Sequence, residues 1–121
     1  MAPLHVKKPV VMEAAGSVPK LIREHFGLPS NGTTGVSVAH MKSGGGWVEP
    51  GQRPDFDEYT VVLAGTLHVE HERGALDVKA GESVLARRGE WVRYSTPGAD
   101  GADYVAVCVP AFTLAGAHRD A

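Results

Sequence analysis

Beyond residue 33 the chain alternates apolar and polar residues with a period of two. Val36, Val38 and His40 share one side of this pattern, and Ser37, Ala39 and Met41 share the other. That is the signature of an extended strand with one face buried. The same period runs through Asp57 to Ala64, Thr66 to Glu72, Ala75 to Lys79, Ser83 to Arg87, Trp91 to Thr96 and Asp103 to Val109. Turn formers separate the runs: Gly65, Arg73-Gly74, Ala80-Gly81-Glu82, Arg88-Gly89 and the loop from Pro97 to Gly101. Glu49 to Pro54 carries two prolines, which keeps it out of a central strand. Upstream, Val10-Val11-Met12 predicts a first short strand. Val18, Leu21, Ile22 and Phe26 recur at three and four residues and predict one short helix over 17–27. Ser17 would cap it, Pro19 fits its first turn, and Gly27 with Pro29 would end it. Many short strands between turn signals mean a sandwich or a barrel.

Composition narrows this picture. A chain of 121 residues buries about two-thirds of its unfolded surface, enough for one core. Gly 15 and Pro 8 suit many turns, so the fold class is all-β. The net charge of −2 is no footprint for nucleic acid or an anionic membrane. The single cysteine, Cys108, lies in the apolar run Tyr104 to Val109 and reads as a buried strand residue. The start Met1-Ala2-Pro3-Leu4-His5 lacks the apolar stretch of a signal peptide. No run approaches the ~20 apolar residues of a membrane span. The expected setting is the cytoplasm.

Four residues carry a resemblance. Glu58, six residues and Gly65 match the second half of the first motif of the cupin superfamily. Gly81, five residues, Arg87, Arg88 and Gly89 match its second motif, with Arg87 where proline is usual. The match spans roughly residues 33–110 and implies a single jelly-roll β-barrel. The expected organisation is one domain in all: residues 1–32 form a strand and short helix packed on the barrel, 33–110 form the barrel, and 111–121 a tail. The stretch Phe56-Asp57-Glu58-Tyr59 through Val62-Leu63-Ala64-Gly65-Thr66-Leu67 is similar to the histidine-poor cupins of the ethanolamine-utilisation Q type. The usual metal-binding histidines are missing. Their positions fall on Gln52 and Pro54, or on Gly51 and Arg53, and on Val92. Without imidazoles a transition metal is held weakly. No cofactor is therefore expected, and any divalent metal would be bound weakly by Gln52 and Glu58.

The strand period orients the candidates. If Glu58 points inward, as the resemblance implies, so do Thr60 and Val62. Val92 and Tyr94 share the inner side, with Trp91 and Arg93 outside. His40 shares the valine side of its strand and is expected inside. A carboxylate in an apolar barrel is costly unless paired or protonated, and burial raises its pKa toward the range of a general acid or base. Glu58, His40 and Tyr94 are the catalytic candidates, against a structural role for Glu58 and a core role for His40. Trp47, Glu49, Gln52 and Thr60 are the substrate-binding candidates. Trp47 is an aromatic wall or a plug over the core, and Glu49 is a second carboxylate or a solvated loop charge. Arg87, Arg88 and Arg93 read as a salt-bridged outer face beside Glu82 and Glu90.

No nucleotide loop or nucleophile elbow is present. The expected function is a small-molecule-binding cupin, a lyase, isomerase or cyclase working by carboxylate acid/base chemistry. The alternatives are a non-catalytic ligand-binding or structural module, or a metal-dependent cupin enzyme with a non-standard ligand set. Expected partners are a small-molecule ligand and, as the resemblance implies, a second copy in a homodimer formed through the N-terminal segment or the Phe112 region. No nucleic acid and no membrane partner is expected.

Overall fold

The computed structural model describes residues 2–14 and 16–121. Met1 and Ala15, both within the expected 1–32 unit, lie outside the described residues. Among the described residues, nine strands and two one-turn helices follow in order: β1 Val10–Glu13, β2 Lys20–Phe26, α1 Leu28–Asn31, β3 Ser37–Ser43, β4 Trp47–Val48, β5 Asp57–His71, β6 Gly74–Lys79, β7 Ser83–Ala86, β8 Val92–Thr96, β9 Ala102–Val109 and α2 Leu114–Ala117. All pairings are antiparallel.

One long strand builds the barrel. The first half of β5 pairs with β9 and β7, and its second half pairs with β6 and β8. The chain thereby passes from one sheet, β1-β2-β3-β9-β5-β7, into a second, β6-β5-β8-β4. Gly65 stands at the crossing with φ 73°, and a Cβ there would meet the Gly101 carbonyl oxygen at 2.1 Å. Only glycine fits both the left-handed backbone and that close approach. The expected pair of strands on either side of Gly65 is thus one bent strand. The core between the sheets holds Trp47, Val62, Leu67, Val69, Val78, Val92 and Tyr104.

The helix expected over 17–27 is instead strand β2, paired with β1 on one side and β3 on the other. Its inward residues include Lys20 and Glu24, both buried. Two charges on the inner side mask the period of two, and the remaining apolar residues mimic a helical spacing. The N-terminal segment therefore extends the barrel's own sheet. The C-terminal tail also folds back: the amides of Arg53, Asp55 and Asp120 donate to the carbonyls of His118, Gly116 and Gly51 at 3.2, 2.8 and 2.8 Å. Phe112 packs edge-on against Phe56, with ring centroids 5.5 Å apart. Of the two segments expected to meet a partner copy, β1 forms the sheet edge and Phe112 packs within its own chain, while Val11 and Leu114 stay exposed.

No described helix is long and apolar enough to cross a membrane.

Candidate functional site

Inside the barrel, between β2, β3, β9 and the start of β5, lies a cavity of about 80 Å³. Its walls carry Lys20, Glu24, Glu49, Gln52, Glu58, Thr60, Tyr94, Tyr104, Cys108 and Arg119 beside Met12, Ile22, Ala39 and Met41. The strand register explains the convergence. Glu58 and Thr60 alternate inward on β5, facing Cys108 and Ala106 on β9. Tyr94 projects from β8, Lys20 and Glu24 from β2. Gln52 and Arg119 reach in from an isolated bridge between the proline loop and the tail, and Gln52 is bridged to Val92 on its other side.

The electrostatics centre on one buried cation among three carboxylates. The Lys20 ammonium sits 3.8 Å from the Trp47 ring centroid and 5.0 Å from that of Tyr104, and donates to the Tyr104 hydroxyl at 2.5 Å. Glu24 accepts from the Ser30 hydroxyl at 2.6 Å. Burial drives the Glu49 carboxyl up from 4.5 to about 7, with Lys20 pulling it down and Glu58 pushing it up. Burial likewise raises Glu58, against the pull of Lys20 and of the Tyr94 and Cys108 side chains. Glu58 keeps some accessible surface, but that surface belongs to the cavity, so its carboxyl is still poorly hydrated. Burial and the neighbouring Glu58 hold the Tyr94 phenol protonated well above its ordinary range. Among the described residues, four buried side-chain polar atoms have no hydrogen-bond partner: Gln52 Oε1, Glu58 Oε1, the Tyr94 hydroxyl and Arg119 Nε. Glu49 and Glu58 thus raise the cost of charging one another across the cavity, against the pull of Lys20.

The expected residues divide. Glu58, Thr60, Tyr94, Glu49 and Gln52 share the cavity. Trp47 is fully buried in the core and acts as a plug beneath Lys20. His40 is misplaced by the sequence reading. Ser37, Ala39 and Met41 take the inner side of β3, so His40 faces out, where its Nε2 lies 2.8 Å from Asp103 Oδ1. The small residues Ser37 and Ala39 fill the inner positions because the cavity wall is tight there, and the valine side is the outer one. Lys20, Glu24, Tyr104 and Arg119 were not anticipated. Lys20 and Glu24 were hidden in the supposed helix, and Arg119 lies 61 residues beyond Glu58 in a tail with no strand pattern.

The outer arginines pair with acids other than Glu82 and Glu90. Arg88 binds Asp57 at 3.1 Å, Arg93 binds Glu70 at 2.5 Å and Arg53 binds Glu72 at 2.7 Å. The guanidinium groups of Arg73 and Arg87 make no hydrogen bond or ion pair among the described residues.

The cavity does not fit a tightly held transition metal. At the motif positions it offers the Gln52 amide, the Glu58 carboxylate and apolar Val92. Among the described residues, no three His, Cys, Asp or Glu side chains come together as a metal site. The Lys20 ammonium already supplies positive charge to Glu49 and Glu58.

No family model matches the chain. Among solved structures it is similar to the polyketide cyclase RemF of Streptomyces resistomycificus, with 15% identity, TM-score 0.71, and 98% of this chain and 90% of that one covered. It is similar to an oxalate decarboxylase of Bacillus subtilis at 15% identity and TM-score 0.76, over 96% of this chain and 31% of that one. It is also similar to the EutQ protein of Clostridium difficile at 22% identity and TM-score 0.59, over 78% and 71%. These likenesses show the fold: the chain is a cupin-type jelly-roll barrel. A curated relative from Myxococcus xanthus, named Endoribonuclease YbeY, is 42% identical over 101 residues, which is 84% of this chain. The chain spans about a third of that relative's length, 34%.

The relative corrects two expectations. A protein named as an endoribonuclease, matched over 84% of this chain, overturns the reading as a small-molecule-binding lyase, isomerase or cyclase. It likewise overturns the exclusion of nucleic acid as a partner. The physical reason is that net charge measures the whole chain and does not exclude a local surface suited to RNA.

Proposed function

We propose that this chain serves endonucleolytic RNA cleavage as the RNA-engaging, cupin-fold segment of an endoribonuclease. It works beside a segment equivalent to the other two-thirds of the Myxococcus relative, in the same polypeptide or a separate one. The observation that carries this is the 42% identity over 101 residues, too extensive for a likeness of fold alone. The Glu58 region gives it the style of the histidine-poor, EutQ-like cupins.

The barrel geometry supports an engaging role over bond cleavage within the cavity. At about 80 Å³ the cavity falls well short of the roughly 300 Å³ at which sites for ligands of nucleotide size begin. RNA is therefore met on the outside of the barrel. The acid cluster within tunes the barrel's stability with pH and does not touch the phosphodiester. The test replaces the matching stretch of the Myxococcus relative with this chain and follows cleavage of a labelled RNA. Restored cleavage supports the reading, and cleavage indifferent to the stretch overturns it.

A further inference from the structure

A second hollow opens at the edge of the barrel between β6 and β7, which do not pair with each other, and reaches the core residues Val69 and Val92. It is a groove of about 380 Å³, larger than the internal cavity. Its apolar lining is Val69, Leu76, Val84, Leu85, Ala86 and Val92. Trp91 and His71 stand in its walls, and Arg73 and Glu90 at its rim. Glu72 also borders it, but its carboxylate is taken by Arg53 at 2.7 Å and by the Trp91 amide at 3.3 Å.

From this groove we infer a binding site for one unpaired nucleotide of single-stranded RNA, its base against Trp91 and its phosphate on Arg73. The inference rests on the proposed role in RNA cleavage and deepens it. Three observations carry it. The volume suits a nucleotide, which the internal cavity does not. The apolar lining and flanking aromatic rings form the kind of slot in which a base stacks, and stacking tolerates any base because every base has a π-face. Charge supports it: Arg73 at the groove and Arg87 beside it are exposed and make no side-chain ion pair among the described residues, and Arg53 bonds the Gly89 carbonyl at 3.0 Å, while the acids nearby are Glu72, held by Arg53, Asp120, which accepts from the Trp91 indole at 3.0 Å, and Glu90. Duplex RNA would not enter, since its bases are stacked and paired and the groove lies between strand edges.

The protein carries its own reporter. It has two tryptophans; Trp47 is fully buried, so a fluorescence change on adding RNA reports Trp91. The experiment titrates the full chain with uridine and adenosine hexanucleotides at low salt, following tryptophan quenching, with a fluorescein-labelled hexamer for anisotropy. Saturable quenching by single strands, and at least tenfold weaker binding of a duplex of equal length, is expected. Arg73→Ala should flatten the dependence of log K on log salt by about 0.7, the increment for one phosphate on a single strand. Leu76→Asp, at an exposed position of the lining, should weaken binding about tenfold or more while leaving Trp91 in place. Trp91→Tyr, followed by anisotropy, should retain part of the affinity that Trp91→Ala loses. Absence of saturable quenching, or binding unmoved by Arg73→Ala and Leu76→Asp, overturns the groove. If the groove fails by these readouts while RNA cleavage still depends on this chain in the replacement experiment, the groove is overturned and the proposed role stands. If single strands bind the groove but cleavage ignores the chain, the role fails.

Discussion

The Lys20 ammonium lies 3.8 Å from the centre of the Trp47 ring, so the cation nearest the cavity acids is seated on the largest side chain of the core. A cation over an indole face gains about 0.5–2 kcal/mol, and here the same ammonium lowers the pKa of both Glu49 and Glu58. Lys20→Met keeps the stem and removes the charge. The Glu49 pKa should then rise above 7, read by carbon NMR of the labelled carboxyl. A Glu49 titration unchanged by Lys20→Met would mean that the ammonium does not act on it.

Stability should fall as pH rises through the range that Glu49 spans. Its folded pKa of about 7 lies above its unfolded value of 4.5, so between these values the native state holds more protons than the unfolded one. The stabilisation is fully present below 4.5 and is lost by the time pH passes 7, amounting to about 3 kcal/mol. Glu58 acts in the same direction. Asp57, Glu70 and Glu72 act oppositely, their pKa values lowered by hydrogen bonds from Arg88, Arg93 and Arg53, and they lose their contribution only in acid. Urea midpoints should therefore decline from pH 5 to pH 8, and Glu49→Gln should flatten that decline. A midpoint rising over this range would contradict the account.

Gly65→Ala should be among the most damaging single changes. The residue combines φ 73° with a Cβ position 2.1 Å from the Gly101 oxygen, and the obstacle is backbone. A loss of about 3 kcal/mol or more is expected in chemical denaturation, from backbone strain plus the clash. A loss below 1 kcal/mol would show that the β5 crossing relaxes easily.

His40→Ala should leave the cavity untouched. The imidazole contacts Asp103 on the outer face at 2.8 Å, with both side chains about one-third exposed. Such a pair contributes at most about 1 kcal/mol. Thermal unfolding should shift by only a few degrees, and the Glu49 titration should not move. A displaced Glu49 titration would place His40 in contact with the cavity after all.

The strands beyond residue 33 were legible because one face of most is buried and the period of two is clean; with Glu58 and Val92 set inward by the cupin resemblance, Thr60 and Tyr94 followed from that period. The same reasoning failed wherever the inner face is polar or small. On β2, Lys20 and Glu24 occupy the inner positions, so apolarity no longer marks the inside. On β3, Ser37 and Ala39 face the cavity while Val38 lies outside, which turned His40 the wrong way. Arg119 reaches the cavity through loop pairing, and no local pattern encodes that. The outer groove escaped notice because Trp91 and Arg73 come from turns that only the closed barrel brings together.

The measurement that bears most directly on the proposed role is single-turnover cleavage of a 5′-labelled RNA by the Myxococcus relative in three forms. One form is intact, one has the 101-residue stretch exchanged for this chain, and one has it exchanged for an unrelated cupin barrel such as the RemF cyclase. Near-intact rates with this chain, and at least tenfold slower cleavage with the unrelated barrel, are predicted. Equal rates in all three forms would contradict a role for this chain in RNA cleavage.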